Sequence, residues 1–130
     1  MAEALLRDET TTGREIDAWI LPGLPDLITA GELVRLRVRE EVTRFNAAGG
    51  DLFQGLVRPS AAAETPQGSK LPAGARIDWV AQAEAACSAF DRNGFVMLTG
   101  DRQIDDLNEL IDLRRDKEIS FIRLIPLVGG

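Results

Sequence analysis

The sequence contains no histidine and a single cysteine, Cys87. Without imidazole, histidine-based metal sites and Ser-His or Cys-His nucleophile pairs are excluded within these residues. One cysteine cannot form an internal disulfide and fits a reducing compartment, so a cytoplasmic location is expected. Lysine is nearly absent: thirteen of the fifteen basic residues are arginine, leaving only Lys70 and Lys117. A bias toward Arg and Ala accounts for this. In a protein modifier, few lysines would also offer few sites for building chains on itself. No apolar run approaches the roughly 18 residues of a membrane span, and no membrane partner is expected. The start, Met1-Ala2-Glu3-Ala4-Leu5-Leu6-Arg7-Asp8, lacks the basic and long apolar stretches of a signal peptide. A net charge of −6 argues against nucleic acid as a partner.

What remains has the composition of an ordinary globular protein. The chain has 130 residues, 45% hydrophobic and 28% charged, so one domain over 1–130 is expected. That length buries a core without a disulfide or metal to staple it.

Ala4 to Thr10 and Glu15 to Leu21 alternate as strands, and Thr11-Thr12-Gly13 between them signals a hairpin turn. In the second run Ile16, Ala18 and Ile20 share one face and Trp19 takes the other. Pro22-Gly23-Leu24-Pro25-Asp26 reads as a loop that breaks the pattern. Thr29 and Glu32 form a capping-box pattern at the head of a helix. Val34, Val38, Val42 and Phe45 make its apolar stripe, joined by Leu33, and Asn46 to Gly50 ends it. Arg35, Arg37, Arg39, Glu40, Glu41 and Arg44 are expected on its solvated surface. Leu52 to Val57 reads as a short strand, and Pro59 to Gly74 as a mobile loop, bounded as an inserted flexible segment at 59–76.

Asp78 is the expected N-cap of a second helix, with Trp79, Ala83, Ala86 and Phe90 as its apolar face and Asn93-Gly94 as its stop. A strand over Phe95 to Thr99, a turn at Gly100-Asp101 and a brief return at Gln103-Ile104 follow. Asp105 to Glu109 is expected to make a short helical turn. Arg114 to Lys117 is a polar turn before a final strand, Ile119 to Ile125, whose apolar character marks it as central. The first strand is expected beside it, running parallel. Val34, Val38, Val42, Phe45, Phe95, Met97, Ile119 and Phe121 are expected to meet in one core.

No catalytic constellation emerges, and no enzyme activity is expected. Cys87 sits among alanines and reads as a buried structural residue. Asp105, Asp106, Glu109 and Asp112 lack a calcium-loop pattern and read as a solvated turn. Gly49-Gly50 has no P-loop context. The specific feature is the end of the sequence, Leu124-Ile125-Pro126-Leu127-Val128-Gly129-Gly130, an apolar segment closing on two glycines. Glycine has no Cβ, so such a segment is thin enough to enter another protein's cleft. Pro126 lacks an N–H, which ends a strand and also discourages the tail from joining a sheet. Arg123 is either a solvated charge or a contact for an acidic groove.

Asn93-Gly94-Phe95-Val96-Met97-Leu98, Asp101-Arg102-Gln103-Ile104, the apolar segment around Leu110, and Glu118-Ile119-Ser120-Phe121 leading to Pro126-Leu127-Val128-Gly129-Gly130 resemble the β-grasp, ubiquitin-like family. The pattern is similar to the small subunit of molybdopterin synthase, the thiamine-pathway sulfur carrier and bacterial ubiquitin-like modifiers. The N-terminal hairpin and first helix match in order only, and residues 50–78 have no counterpart in the compact carriers. The resemblance implies an α+β fold, a mixed sheet packed on a central helix, with an additional loop and second helix inserted. It implies an E1-like enzyme that adenylates Gly130, with Gly129 beside it, using its own ATP. This chain would then bind no cofactor or metal. Leu124, together with Pro126, Leu127 and Val128 of the 125–130 diglycine tail, would be recognised by that partner. Further implied partners are an E2-like conjugating enzyme, a deconjugating protease or a sulfur donor. The other reading is a noncovalent β-grasp interaction module that never uses its terminus.

Overall fold

The computed structural model describes residues 1–60, 62–65, 67–100 and 102–124. In chain order the elements are β1 (Ala2–Glu9), β2 (Glu15–Leu24), β3 (Leu27–Thr29), α1 (Ala30–Ala48), β4 (Leu52–Phe53), β5 (Ala63–Thr65), β6 (Gly68–Lys70), α2 (Trp79–Asp91), β7 (Phe95–Thr99), β8 (Arg102–Ile104), β9 (Leu110–Asp112) and β10 (Glu118–Arg123). This is an α+β arrangement of two helices and a five-stranded mixed sheet, with two smaller sheets. The chain divides into two compact units, Met1–Leu33 with Ala89–Gly130, and Val34–Ser88.

The first unit holds the large sheet, in the order β2-β1-β10-β7-β8. The expected hairpin forms: Gly13 adopts φ 84°, and the Thr10 N–H donates to the Arg14 carbonyl at 2.9 Å. A three-residue loop closing on a left-handed glycine suits the twist of paired strands. β1 and β10 run parallel, with Leu6 beside Ile119 and Asp8 beside Phe121. β10 is the central strand, as its apolar sequence requires. One face of the sheet is closed by Ala4, Leu6, Phe95, Met97, Ile119 and Phe121, all buried. Phe95 lies 5.8 Å from Phe90 and 6.1 Å from Phe121, ring centre to ring centre.

One expectation fails here. The run at Pro22-Gly23 is not a loop, because β2 continues to Leu24 and buries it. β2 is an edge strand, where a missing N–H costs no ladder bond. The turn expected within Asp105 to Glu109 forms, with the Glu109 N–H donating to the Asp106 carbonyl at 3.1 Å, and it leads into an unanticipated strand, β9, which pairs antiparallel with β3. Both strands have three residues, too few for periodicity to show. Backbone at this small sheet anchors the start of α1: Ala30 and Gly31 donate to the carbonyls of Glu109 and Leu107 at 2.9 and 2.8 Å. The Thr29 hydroxyl takes the Glu32 N–H at 3.1 Å, the expected N-cap.

The second unit carries the body of α1, the three-stranded antiparallel sheet β4-β6-β5 and most of α2. Two strands therefore lie inside the span expected as a loop. Val34, Val38, Val42 and Phe45 are all buried, and Phe45 meets Phe53 edge-on at 5.6 Å. A Cβ at Gly55 would fall 2.2 Å from the Phe53 ring, so glycine is required there. Arg37 is not solvated as expected: it is 1% exposed and donates from Nε and Nη2 to Glu41 Oε2 at 3.2 and 3.1 Å. Trp79 is not a core residue; it is 38% exposed, with the Arg39 guanidinium 5.8 Å from its ring centre. Ala83, Ala86 and Phe90 are buried as expected, whereas Cys87 is only half-buried. Asp78 caps α2 by accepting the Val80 N–H at 3.1 Å.

Candidate functional site

The candidate site is the end of the large sheet at which β10 gives way to the tail. Because β1 and β10 are parallel, their C-terminal ends lie together, with Glu9 beside Ile122. β7 begins at the same end, where Arg123 pairs with Phe95. The Leu124 N–H donates to the Gly94 carbonyl at 3.2 Å, carrying the backbone one residue beyond the strand. That carbonyl is positioned by the stop of α2. Asn93 takes φ 59°, and the Gly94 N–H returns to the Ala89 carbonyl at 2.7 Å. A Cβ at Gly94 would sit 3.1 Å from that oxygen, which accounts for the glycine. The helix stop read from Asn93-Gly94 thus also fixes where the tail departs.

The electrostatics of this end are mixed. Asp8 is 5% exposed, and its Oδ2 lies 4.0 Å from Arg123 Nη2. Arg123 is therefore tied to its own sheet rather than purely solvated. Beside β7 a pocket of about 150 Å³ is lined by Phe90, Asp91, Asn93, Phe95, Val96, Gln103, Ile104 and Asp105. Its two carboxylates and two amides would accept a polar or cationic group better than an apolar one. Across the open sheet face, Arg7 is paired with both Glu15 and Glu118, which hold its guanidinium above its ordinary value, Glu118 contributing most.

Of the tail residues singled out from the sequence, Leu124 is described, and it is exposed. Pro126, Leu127, Val128, Gly129 and Gly130 lie outside the described residues. The acidic residues after β8 do not converge. Asp106 accepts the Asn108 N–H at 2.8 Å, Glu109 pairs with Arg102, and Asp112 holds Arg114 at 2.9 Å. No group of His, Cys, Asp and Glu suited to a metal occurs among the described residues. Among the described residues, no helix is long and apolar enough to cross a membrane.

The sequence reading missed Asp8, Arg123's partner. Its signal was a carboxylate in the buried register of β1, two residues after Leu6. Comparison of the chain with protein-family models, with curated proteins and with solved structures finds no match.

Proposed function

We propose that this is a ubiquitin-like protein of the β-grasp type, whose Gly130 carboxylate is activated by an E1-like enzyme. The observation that carries this reading is the order of the large sheet. Its five strands, taken in chain order, lie 2-1-5-3-4, with the first and last parallel and α1 following the opening hairpin. In that order the last strand is central, and the segment after it leaves from the middle of a rigid sheet. Leu124 begins that segment, six residues before Gly130.

A carboxylate at neutral pH is a poor electrophile. Activation joins a Gly130 carboxylate oxygen to the α-phosphorus of ATP and expels pyrophosphate. A thiol of the enzyme then attacks the carbonyl and expels AMP, giving a thioester that a lysine amine can open. Alternatively a donor of sulfide-level sulfur delivers hydrosulfide, which attacks the same carbonyl, expels AMP and leaves a thiocarboxylate. Both branches use ATP bound by the partner, so this chain acts as substrate. The requirement is the same whether Gly130 ends the chain as made or is exposed by trimming.

The noncovalent reading draws support from exposed apolar residues on the sheet, Ile16 at 59% and Ile20 at 51%. The two readings part on one experiment. The protein is incubated with ATP and a candidate E1-like enzyme, preferably one encoded beside it, and its intact mass is measured. Activation predicts an adenylate, thiocarboxylate or covalent adduct that is lost when Gly130 is deleted. An unchanged mass, with biological function intact after the deletion, would sink the proposal.

A further inference from the structure

The outer edge of β2 carries an inference that does not depend on the tail. β2 ends the sheet order, and no described strand pairs with its outer side. Its register against β1 shifts twice, between Asp8 and Glu9 and between Ala2 and Ala4. Between those irregularities a straight segment, Asp17 to Leu21, pairs one-to-one with Asp8 to Ala4. Ala18 N–H donates to Asp17 Oδ1 at 2.9 Å, so it is directed to the open side and not to β1. Bonded and unbonded positions alternate along an antiparallel strand, so the Ile20 N–H and C=O face the open side as well. Pro22 follows with the same parity, and its missing N–H closes the pairable stretch.

We infer that this edge pairs with the same edge of a second copy, antiparallel, about a two-fold axis at Trp19. The register follows from three constraints. A two-fold perpendicular to the sheet keeps like faces together only if residues of like parity are opposed. An axis at Asp17 would set two carboxylates against each other, and like charges directly opposite are unfavourable. An axis at Ala18 would set Ile20 against Ile16, which lies at the register shift and offers no straight partner. An axis at Trp19 opposes Ala18 to Ile20 twice, Asp17 to Leu21 twice, and Trp19 to itself. The outward N–H and C=O of Ile20 and the outward C=O of Ala18 then find partners, and the Ala18 N–H does so once it leaves Asp17 Oδ1. The straight segment of five residues is centred on that axis. Exposed Ile20 gains an apolar neighbour, and the two sheets join into one of ten strands.

In the single copy, the Asp17 carboxylate occupies the Ala18 N–H that the second copy needs. Asp17 therefore opposes pairing and keeps it reversible, a common way of restraining an open edge.

The test is sedimentation velocity on the full chain from micromolar to millimolar concentration. A reversible dimer is expected. Asp17→Ala removes the competing acceptor and should tighten it about threefold or more. Ile20→Pro removes an outward donor without touching the β1 ladder, and should weaken it by about tenfold or more. Circular dichroism checks that this variant folds. Register is read by mild oxidation in a Cys87→Ser background. A mixture of Ala18→Cys and Ile20→Cys chains should cross-link as a mixed pair, and neither should do so alone. Deleting Gly130 should leave association unchanged, whatever becomes of the tail chemistry. A wild-type chain that stays monomeric throughout, a dimer indifferent to Ile20→Pro, or faster cross-linking of Ala18→Cys alone would each overturn the inference.

Discussion

In the unit of Met1–Leu33 and Ala89–Gly130, backbone groups satisfy one another along long ladders; in Val34–Ser88, side chains from two helices do much of that work. β1 is paired on both sides along most of its length, and charges such as Arg7, Glu15 and Glu118 decorate the open face. In the second unit the strands have two or three residues, and irregular backbone must find other partners. Asn46 holds Ile77 through both its amide groups, each at 3.0 Å. Gln82 of α2 donates to the Val57 carbonyl at 2.7 Å, and Gln54, just after β4 and outside the helices, to that of Gln67 at 2.7 Å. Glu41 Oε1 takes the Leu56 N–H at 3.3 Å, while Oε2 accepts from Arg37 at 3.1 Å. The difference teaches that a segment poor in ladders stays folded by borrowing acceptors and donors from neighbouring helices. Around its buried apolar side chains, this unit therefore depends on a few polar side chains to satisfy its backbone, whereas the large sheet does so along its ladders.

The largest effect expected from that contrast is at Glu41. Glu41→Ala leaves Arg37 buried without this carboxylate and the Leu56 N–H without its acceptor, a loss of about 3–5 kcal/mol in urea unfolding. The double change Arg37→Met with Glu41→Leu should recover part of it, since neither charge of this pair is then buried, while the Leu56 N–H still lacks its acceptor. If Glu41→Ala unfolds at the wild-type midpoint, the polar account of this unit fails.

Asn46→Ala comes next. It removes two hydrogen bonds to Ile77 and should cost about 2 kcal/mol. The effect should appear first in amide exchange of residues 76–78, while β1 and β10 keep their protection. Equal loosening of both units would break the comparison. Thr29→Ala, which removes the cap of α1, should cost about 1 kcal/mol, with Thr29→Ser restoring most of it.

The smallest effect is electrostatic and lies at the surface. Arg114 holds the Asp112 carboxyl below the usual carboxylate range, by side-chain hydrogen bonds first and by its N–H second. A carboxyl depressed in the folded state contributes stability above its unfolded pKa, near about 3.9, and loses it as pH falls through the folded value. Arg114→Ala should move the Asp112 titration, followed by NMR, back toward the ordinary range. A titration that does not move would show that the side chain is not the cause.

The two units also differ in how readable they are from sequence. The hairpin was legible because period-two alternation meets a turn closing on Gly13. The first helix was legible because Thr29 and the Val34, Val38, Val42 stripe agree. β3, β5, β6 and β9 are too short to carry a period, and Ala-, Pro- and Gly-rich composition disguised β5 and β6; β4 was legible, but holds only the first two residues of the strand read over Leu52 to Val57. Pro22 was read as a break because an edge position, where proline costs nothing, is defined only by the assembled sheet. Arg37 follows Leu33 by four residues and so shares its buried side of the helix. That spacing was the available signal, and charge outweighed it. At the candidate site, Asn93-Gly94 and the central last strand were readable. The Asp8–Arg123 approach was not, because it joins residues more than a hundred positions apart.

The most direct test of the central proposal is the mass of the protein recovered from the cells that make it, as wild type and with Gly130 deleted. Activation at Gly130 predicts wild-type chains carrying sulfur in place of a carboxylate oxygen, or peptides joining Gly130 to a lysine of another protein, and neither in the deletion. Only unmodified chains, with cells unaffected by the deletion, would contradict it.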